Sequence, residues 1–233
     1  MSIAYSRDGD LGLITLDDGK VNAMSQRFFD ELNAALDRIE QDQPAAVMIT
    51  GRPGVLSAGL DLKLLPTLTP AALNTTLVTF GRTMLRVFTL PVPTVAAISG
   101  HAIAGGAFLA LACDLRVMVD GPFRIHANEV AIGLALPTWA NVIVESAVDV
   151  RWRTEMVLHA RPVTPTDALA RGMVHELCPP EALLARARER ALPLGALDRA
   201  SYAATKKRIR IVAIRHAESV LEQEMTAPPS RTR

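Results

Sequence analysis

Excess charge of one sign, cysteine and paired histidines are all scarce in this chain. Its 233 residues carry 25 Lys and Arg against 24 Asp and Glu, a formal net charge of +1. That balance excludes an electrostatic nucleic-acid binder, which needs a basic face. Two cysteines occur, Cys113 and Cys178, each in an apolar context. They supply no disulfide framework and fit a reduced compartment, so a cytoplasmic location is expected. The five histidines, His101, His126, His159, His175 and His216, are scattered. None has a partner at the spacing of a metal motif such as H-E-x-x-H, so no metal site is expected. The first residues, MSIAYSRDGD, show no basic and apolar leader pattern. One stretch, Thr94–Asp114, is nearly apolar for about 20 residues, the length of a membrane span. Ser99, Gly100, His101, Gly105 and Gly106 interrupt it and no basic flank orients it, so no membrane partner is expected. Internal repeats and low-complexity segments are absent.

What is present is a core-forming composition. Hydrophobic residues make up 49% and charged residues 21%, enough to bury a sizeable core in one domain or two small ones. The Thr94–Asp114 stretch organises the chain. It reads as a buried strand over Thr94–Ile98, a glycine turn over Ser99–Ala102, then Gly105-Gly106 opening a helix. That arrangement aims free backbone N–H groups at developing negative charge. Gly105-Gly106 reads equally well as close helix packing.

The rest of the chain alternates. Ile3–Ser6 and Leu11–Leu16 read as a hairpin about Asp8-Gly9-Asp10. Ser25 reads as the N-cap of a helix with Phe28, Leu32, Ala35, Leu36 and Ile39 on its apolar face. Ala45–Thr50 reads as a buried strand and Gly51–Leu60 as a loop. Thr69 and Pro70 open the next helix, and Leu115–Val119 is another strand. Thr138–Ala147 and Arg151–Ala160 read as helices, and Thr166–Gly172 as a short one ending on Gly172. Val174–Leu177 reads as a strand. Glu181–Leu192 and Ala200–Glu224 read as helices interrupted by Pro193 and Gly195. Strands alternating with helices predict an α/β core of parallel β–α–β units.

Two loops stand out together. One is Leu56-Ser57-Ala58-Gly59-Leu60-Asp61-Leu62; the other runs from Gly100-His101-Ala102-Ile103-Ala104-Gly105-Gly106-Ala107 to Cys113-Asp114. With Val21-Asn22-Ala23, Asn128-Glu129-Val130 and the segment from Pro165 to Val174, they resemble the crotonase (enoyl-CoA hydratase/isomerase) superfamily, over roughly residues 5–180. The resemblance implies a crotonase-like ββα spiral core over residues 1–193. It implies a C-terminal helical segment, 194–225, that makes oligomer contacts in a homotrimer or dimer of trimers. Residues 226–233 read as a disordered tail.

The resemblance also implies chemistry. Family members bind an acyl-CoA thioester and stabilise its enolate between two backbone N–H groups, which map to Leu60 and Gly105. Backbone donors cannot be titrated away, and a helix N-terminus adds a favourable dipole. Ala58, Ala23 and Asp61 would line the cofactor groove, and Lys20 would meet a CoA phosphate. From its own surroundings Lys20 reads as a solvated surface lysine. A late-helix lysine, Lys206, would reach the CoA of a neighbouring subunit, whereas the basic residues around it read as a solvated face. Coenzyme A enters as part of the substrate; no other cofactor is expected.

The carboxylates separate the subtypes. Hydratases of the family carry two glutamates. Here the first position is Phe108 and the second is Glu129. Hydration needs water held and deprotonated by one carboxylate while another manages the α-carbon proton. One base suffices to move a double bond from C3 to C2, given a stabilised enolate. The chain therefore resembles monofunctional Δ3,Δ2-enoyl-CoA isomerases, with Glu129 as the single acid/base and its pKa raised by an apolar setting. Phe108 and Trp139 read either as acyl-pocket walls or as core. Glu145 or Asp149 would replace the missing carboxylate or sit on a solvated helix face, and Asp114 reads as a turn cap. A hydratase-like enzyme and a non-catalytic acyl-CoA binder remain the alternatives.

Overall fold

A computed structural model describes residues 2–226. Strands β1 (Ile3–Asp8) and β2 (Leu11–Leu16) form the expected antiparallel hairpin. Helix α1 (Gln26–Asp42) starts where Ser25 accepts a hydrogen bond from the Phe28 amide. Next come β3 (Ala46–Gly51), β4 (Gly54–Ser57), α2 (Pro70–Thr89), β5 (Thr94–Ile98), β6 (Gly100–Ile103) and α3 (Gly105–Ala112). The chain continues through β7 (Leu115–Val119), β8 (Ile125–His126), α4 (Thr138–Ala147), α5 (Val150–Val157) and α6 (Pro165–Ala170). It closes with β9 (Glu176–Cys178), α7 (Leu183–Gly195) and α8 (Arg199–Thr226).

Two sheets result. The larger has the order β1-β2-β3-β5-β7-β9, and all its pairs beyond the first hairpin are parallel. Alternate residues of its strands serve opposite faces. Ala46, Met48, Val95, Ala97, Val117 and Val119 pack under Leu183, Ala187 and Ala191 of α7. Val47, Ile49, Ala96, Ile98 and Met118 face the main core with α1, α2, α3 and α4. Covering on both faces is why β3 and β5 are apolar without alternation.

The smaller sheet, β4-β6-β8, corrects two expectations. The segment read as a loop over Gly51–Leu60 contains β4, and the segment read as a turn over Ser99–Ala102 opens β6. These strands are four residues each, too short for a side-chain period to show. Gly100 permits the pairing: a Cβ there would lie 2.0 Å from the carbonyl carbon of Gly54.

The C-terminal part also differs from expectation. Helix α7 runs through Pro193 to Gly195, so the boundary drawn at 193/194 falls inside a helix. Pro193 sits in its last turn, where its missing N–H forfeits one i→i−4 hydrogen bond and the helix ends two residues later. Helix α8 is no separate unit: it packs on α2 and α4, and its Ile214, Ala217 and Leu221 join the main core. Its Glu224 accepts from the amide of Thr138 at 2.8 Å, capping the free N-terminus of α4. The tail expected over residues 226–233 lies outside the described residues from 227 onward.

Candidate active site

All three strands of the small sheet run parallel, so their C-terminal ends share one edge. Gly59 and Leu60 leave β4 there, Gly105 leaves β6, and Glu129 follows β8. Crevices at the carboxyl ends of parallel strands are where α/β folds place their sites. The exits are cross-linked. The Ala104 amide donates to the His126 carbonyl at 2.7 Å. A Cβ on Gly59 would lie 2.9 Å from the Gly105 nitrogen and 2.7 Å from the Ala104 Cβ.

The two amides picked out in the sequence are free. On either side of Leu60, the Gly59 carbonyl accepts from Met24 N at 2.8 Å and Asp61 N donates to the Met24 carbonyl at 2.9 Å. That parallel bridge leaves the Leu60 N–H on the other side, without an acceptor among the described residues. Gly105 is the first residue of α3, and a helix leaves its first amides unpaired. The amides of Ala107 and Phe108 turn to the Ala104 carbonyl, at 2.9 and 3.1 Å, while that of Gly105 has no acceptor among the described residues. Two free donors on touching segments suit an oxygen that gains negative charge.

Ala104 is held at φ 49° and ψ −120°. A non-glycine residue there carries strain of about 1–3 kcal/mol, sustained only where the surroundings over-determine it. The sequence reading missed it, because helix formers and strand formers on either side conceal one left-handed residue.

A second missed residue fixes the Leu60 loop. Asn22 is buried at φ 51°. Its Nδ2 donates to the carbonyls of Leu16 at 2.9 Å and Leu56 at 3.0 Å, and its Oδ1 accepts from Asp18 N at 2.9 Å. Ser57 Oγ donates to the Asn22 carbonyl at 2.6 Å and accepts from Gly59 N at 3.1 Å. Asn tolerates the left-handed region, which was the available signal in Val21-Asn22-Ala23. Asn22→Ala strands buried partners, so a loss of about 3 kcal/mol is expected. Thermal melting should fall by about 6–12 °C; a fall under 2 °C contradicts this role.

Glu129 sits just past β8, its main chain anchored by Leu134 N donating to its carbonyl at 2.9 Å. Its Oε2 is buried with no hydrogen-bond partner among the described residues. Burial pushes its pKa up to about 7, slightly offset by its own backbone amide. The carboxyl can thus gain and lose a proton near neutrality. His126 does not supplement it: its Nε2 is engaged with the Ala160 carbonyl at 2.8 Å.

Other predicted residues separate into groups. Ala23 lies on the loop before α1 and Ala58 on the loop after β4; both are half-buried, and Ala58 N donates to the Val21 carbonyl at 3.0 Å. Lys20 is exposed on the loop that carries Ala23. Asp61, expected to line the cofactor groove, has its Oδ1 engaged by the amides of Lys63 and Leu64, both at 3.0 Å. It is the cap of the next turn, as short Asp side chains commonly are. Phe108 and Trp139 are both 1% exposed and meet edge-to-face at 5.6 Å. Trp139 in turn meets Phe80 at 4.7 Å, and Phe80 with Met24 covers the α-carbon of Gly105. Phe108 is therefore core behind the free amide. Glu145 is exposed, and Asp149 caps α5 through Arg151 N, so neither replaces the missing carboxylate.

Lys206 overturns its expectation. Its side chain is 6% exposed and its Nζ donates to Asp114 at 2.7 Å and to the Val92 carbonyl at 3.2 Å. It is buried under α8 within its own chain and has no reach to a neighbour's phosphate. Asp114 is more than a turn cap. It also accepts from Thr94, Tyr202 and Arg210. The helical spacing of Tyr202, Lys206 and Arg210, every fourth residue, was the signal for one buried stripe.

Fold and site define an α/β enzyme that presents backbone donors and one proton-carrying carboxyl at a single sheet edge. Residues 7–229 match the family model described as enoyl-CoA hydratase/isomerase, and the chain belongs to that family. A putative enoyl-CoA hydratase of Thermus thermophilus is 37% identical over 77% of this chain and 72% of its own. Human mitochondrial enoyl-CoA delta isomerase 1 is 32% identical over 69% of this chain and 54% of its own. Among solved structures, human mitochondrial Δ3-Δ2-enoyl-CoA isomerase superposes with a TM-score of 0.92 at 26% identity, covering 97% of this chain and 89% of that one. A probable enoyl-CoA hydratase of Mycobacterium tuberculosis reaches 0.90 at 34% identity, covering 96% of each chain. The fold is thus the crotonase fold, and the resemblance to isomerases extends to both sequence and structure.

Proposed function

We propose that this enzyme isomerises 3-enoyl-CoA thioesters to 2-enoyl-CoA, with Glu129 as the one acid/base. The observation that carries the reading is a carboxyl whose Oε2 is buried and unpartnered among the described residues, with its pKa raised to about 7, in a chain whose other family glutamate position is Phe108, a core residue. The thioester oxygen accepts from the amides of Leu60 and Gly105. Glu129 removes a proton from C2, and the electron pair delocalises over the carbonyl and the C3–C4 double bond. The same carboxyl returns the proton to C4, leaving the double bond between C2 and C3. No water is consumed, and no second carboxylate is required to hold one.

Mixing purified protein with 3-enoyl-CoA should raise the absorbance of the conjugated thioester at a catalytic rate. A fall in that absorbance with 2-enoyl-CoA, and no rise with 3-enoyl-CoA, would replace this reading with hydration, the activity in the Thermus relative's name. Tight binding with neither change would mark a binding protein.

A further inference from the structure

We infer that the methyl group of Ala104 is the spacer that sets the distance and aim of the two amide donors. The inference rests on the proposed thioester-oxygen site at Leu60 and Gly105. Three contacts lock this residue. Its N–H is tied to the His126 carbonyl of β8 at 2.7 Å. Its carbonyl accepts from Ala107 and Phe108, at 2.9 and 3.1 Å, and so is committed to starting α3. Its Cβ lies 2.7 Å from where a Cβ on Gly59 would stand, so the methyl rests on the backbone of the residue before Leu60.

The peptide joining Ala104 to Gly105 is planar and trans, with its N–H opposite its carbonyl. Once that carbonyl points into the helix, the Gly105 N–H points out of it. The plane is set by φ 49° and ψ −120° at Ala104, a conformation that disfavours any side chain. Glycine would adopt it without strain. The methyl therefore opposes local comfort, and it lies against the segment that carries the other donor. Removing it should relieve the backbone and let the Gly59–Leu60 segment settle toward α3.

Ala104→Gly tests this. The expected result is a melting temperature no lower than wild type. The expected kcat is lower by about 10-fold or more, as for a small misplacement of positioning groups. Binding of 2-enoyl-CoA should stay within about threefold of wild type. A merely structural methyl would not separate kcat from binding and stability in that way. The second readout needs no turnover: difference infrared spectra of bound 2-enoyl-CoA report how strongly the donors polarise the thioester carbonyl. Wild type should show a shift to lower frequency and Ala104→Gly a smaller one. A wild type without any shift sinks the two-donor reading itself. A wild-type shift that the variant fully retains, with unchanged kcat, overturns the spacer inference alone, as does a loss of activity that only follows a loss of stability.

Discussion

Glu129→Gln is expected to abolish isomerisation while leaving acyl-CoA binding nearly intact. Proton transfer by a placed side chain contributes roughly 10²–10⁴-fold. Here one group handles both the C2 and the C4 proton, so a fall in kcat of at least about 10³-fold is expected. Glutamine keeps the volume and adds no charge, so the dissociation constant for 2-enoyl-CoA should move by less than about threefold. The pH dependence has a definite sign. The carboxylate is the active form, so the wild-type rate should rise with pH through about 7 and then level off. Stability runs the other way. Below the ordinary glutamate value both folded and unfolded chains hold the proton, and the favourable term is complete. Between that value and about 7 only the folded chain holds it, so stability falls as pH rises. The total loss is at most about 3 kcal/mol. Glu129→Gln should therefore be the more stable protein above pH 7 and should lack this slope. A variant with a rate near wild type would remove Glu129 from the mechanism, and one that melts lower at pH 8 would contradict the raised pKa.

Much of this site was legible because its parts are backbone and glycine, which leave a mark in short motifs. Leu60, Gly105 and Glu129 were placed by three loops, and all three reach one edge of the small sheet. The sheet itself was not legible, since β4 and β6 have only four residues each. Long elements with a period, such as α1 and α2, start at the caps that Ser25 and Thr69 announce. Ala104 and Asn22 escaped because a positive φ is imposed from outside: by the His126 carbonyl and Gly59 in one case, by the carbonyls of Leu16 and Leu56 in the other. Lys206 was misplaced for a related reason. A cation on a helix rich in Lys and Arg looks solvated until the chain brings Asp114, 92 residues earlier, beneath it.

Asp114→Ala is expected to cost the fold about 3–5 kcal/mol. The carboxyl follows α3 and β5 begins beside it, so α8 is fastened there to the centre of the molecule. Oδ2 accepts from Thr94 N at 2.9 Å, Thr94 Oγ1 at 3.0 Å, Tyr202 OH at 2.9 Å and Lys206 Nζ at 2.7 Å. Oδ1 accepts from Arg210 Nη2 at 2.9 Å. Burial alone would raise this carboxyl's pKa, but the charges of Lys206 and Arg210 outweigh it and hold the value below the usual carboxylate range. Its stabilising term is thus present above the ordinary Asp pKa and is lost as pH falls through the lowered one. Removing the carboxylate leaves two cations, with side chains 6% and 15% exposed, and no counter-ion between them. Breaking a buried pair in this way costs about 3–5 kcal/mol. Asp114→Asn, which keeps shape and most hydrogen bonds, should lose nearly as much if charge is the cause. Adding Lys206→Met should then recover part of the loss, because it removes one stranded cation and fills its space. Denaturant unfolding of the three variants decides the matter. A cost under about 1 kcal/mol for Asp114→Asn would show that the hydrogen bonds, and not the charges, fasten α8 to the helix that begins at Gly105.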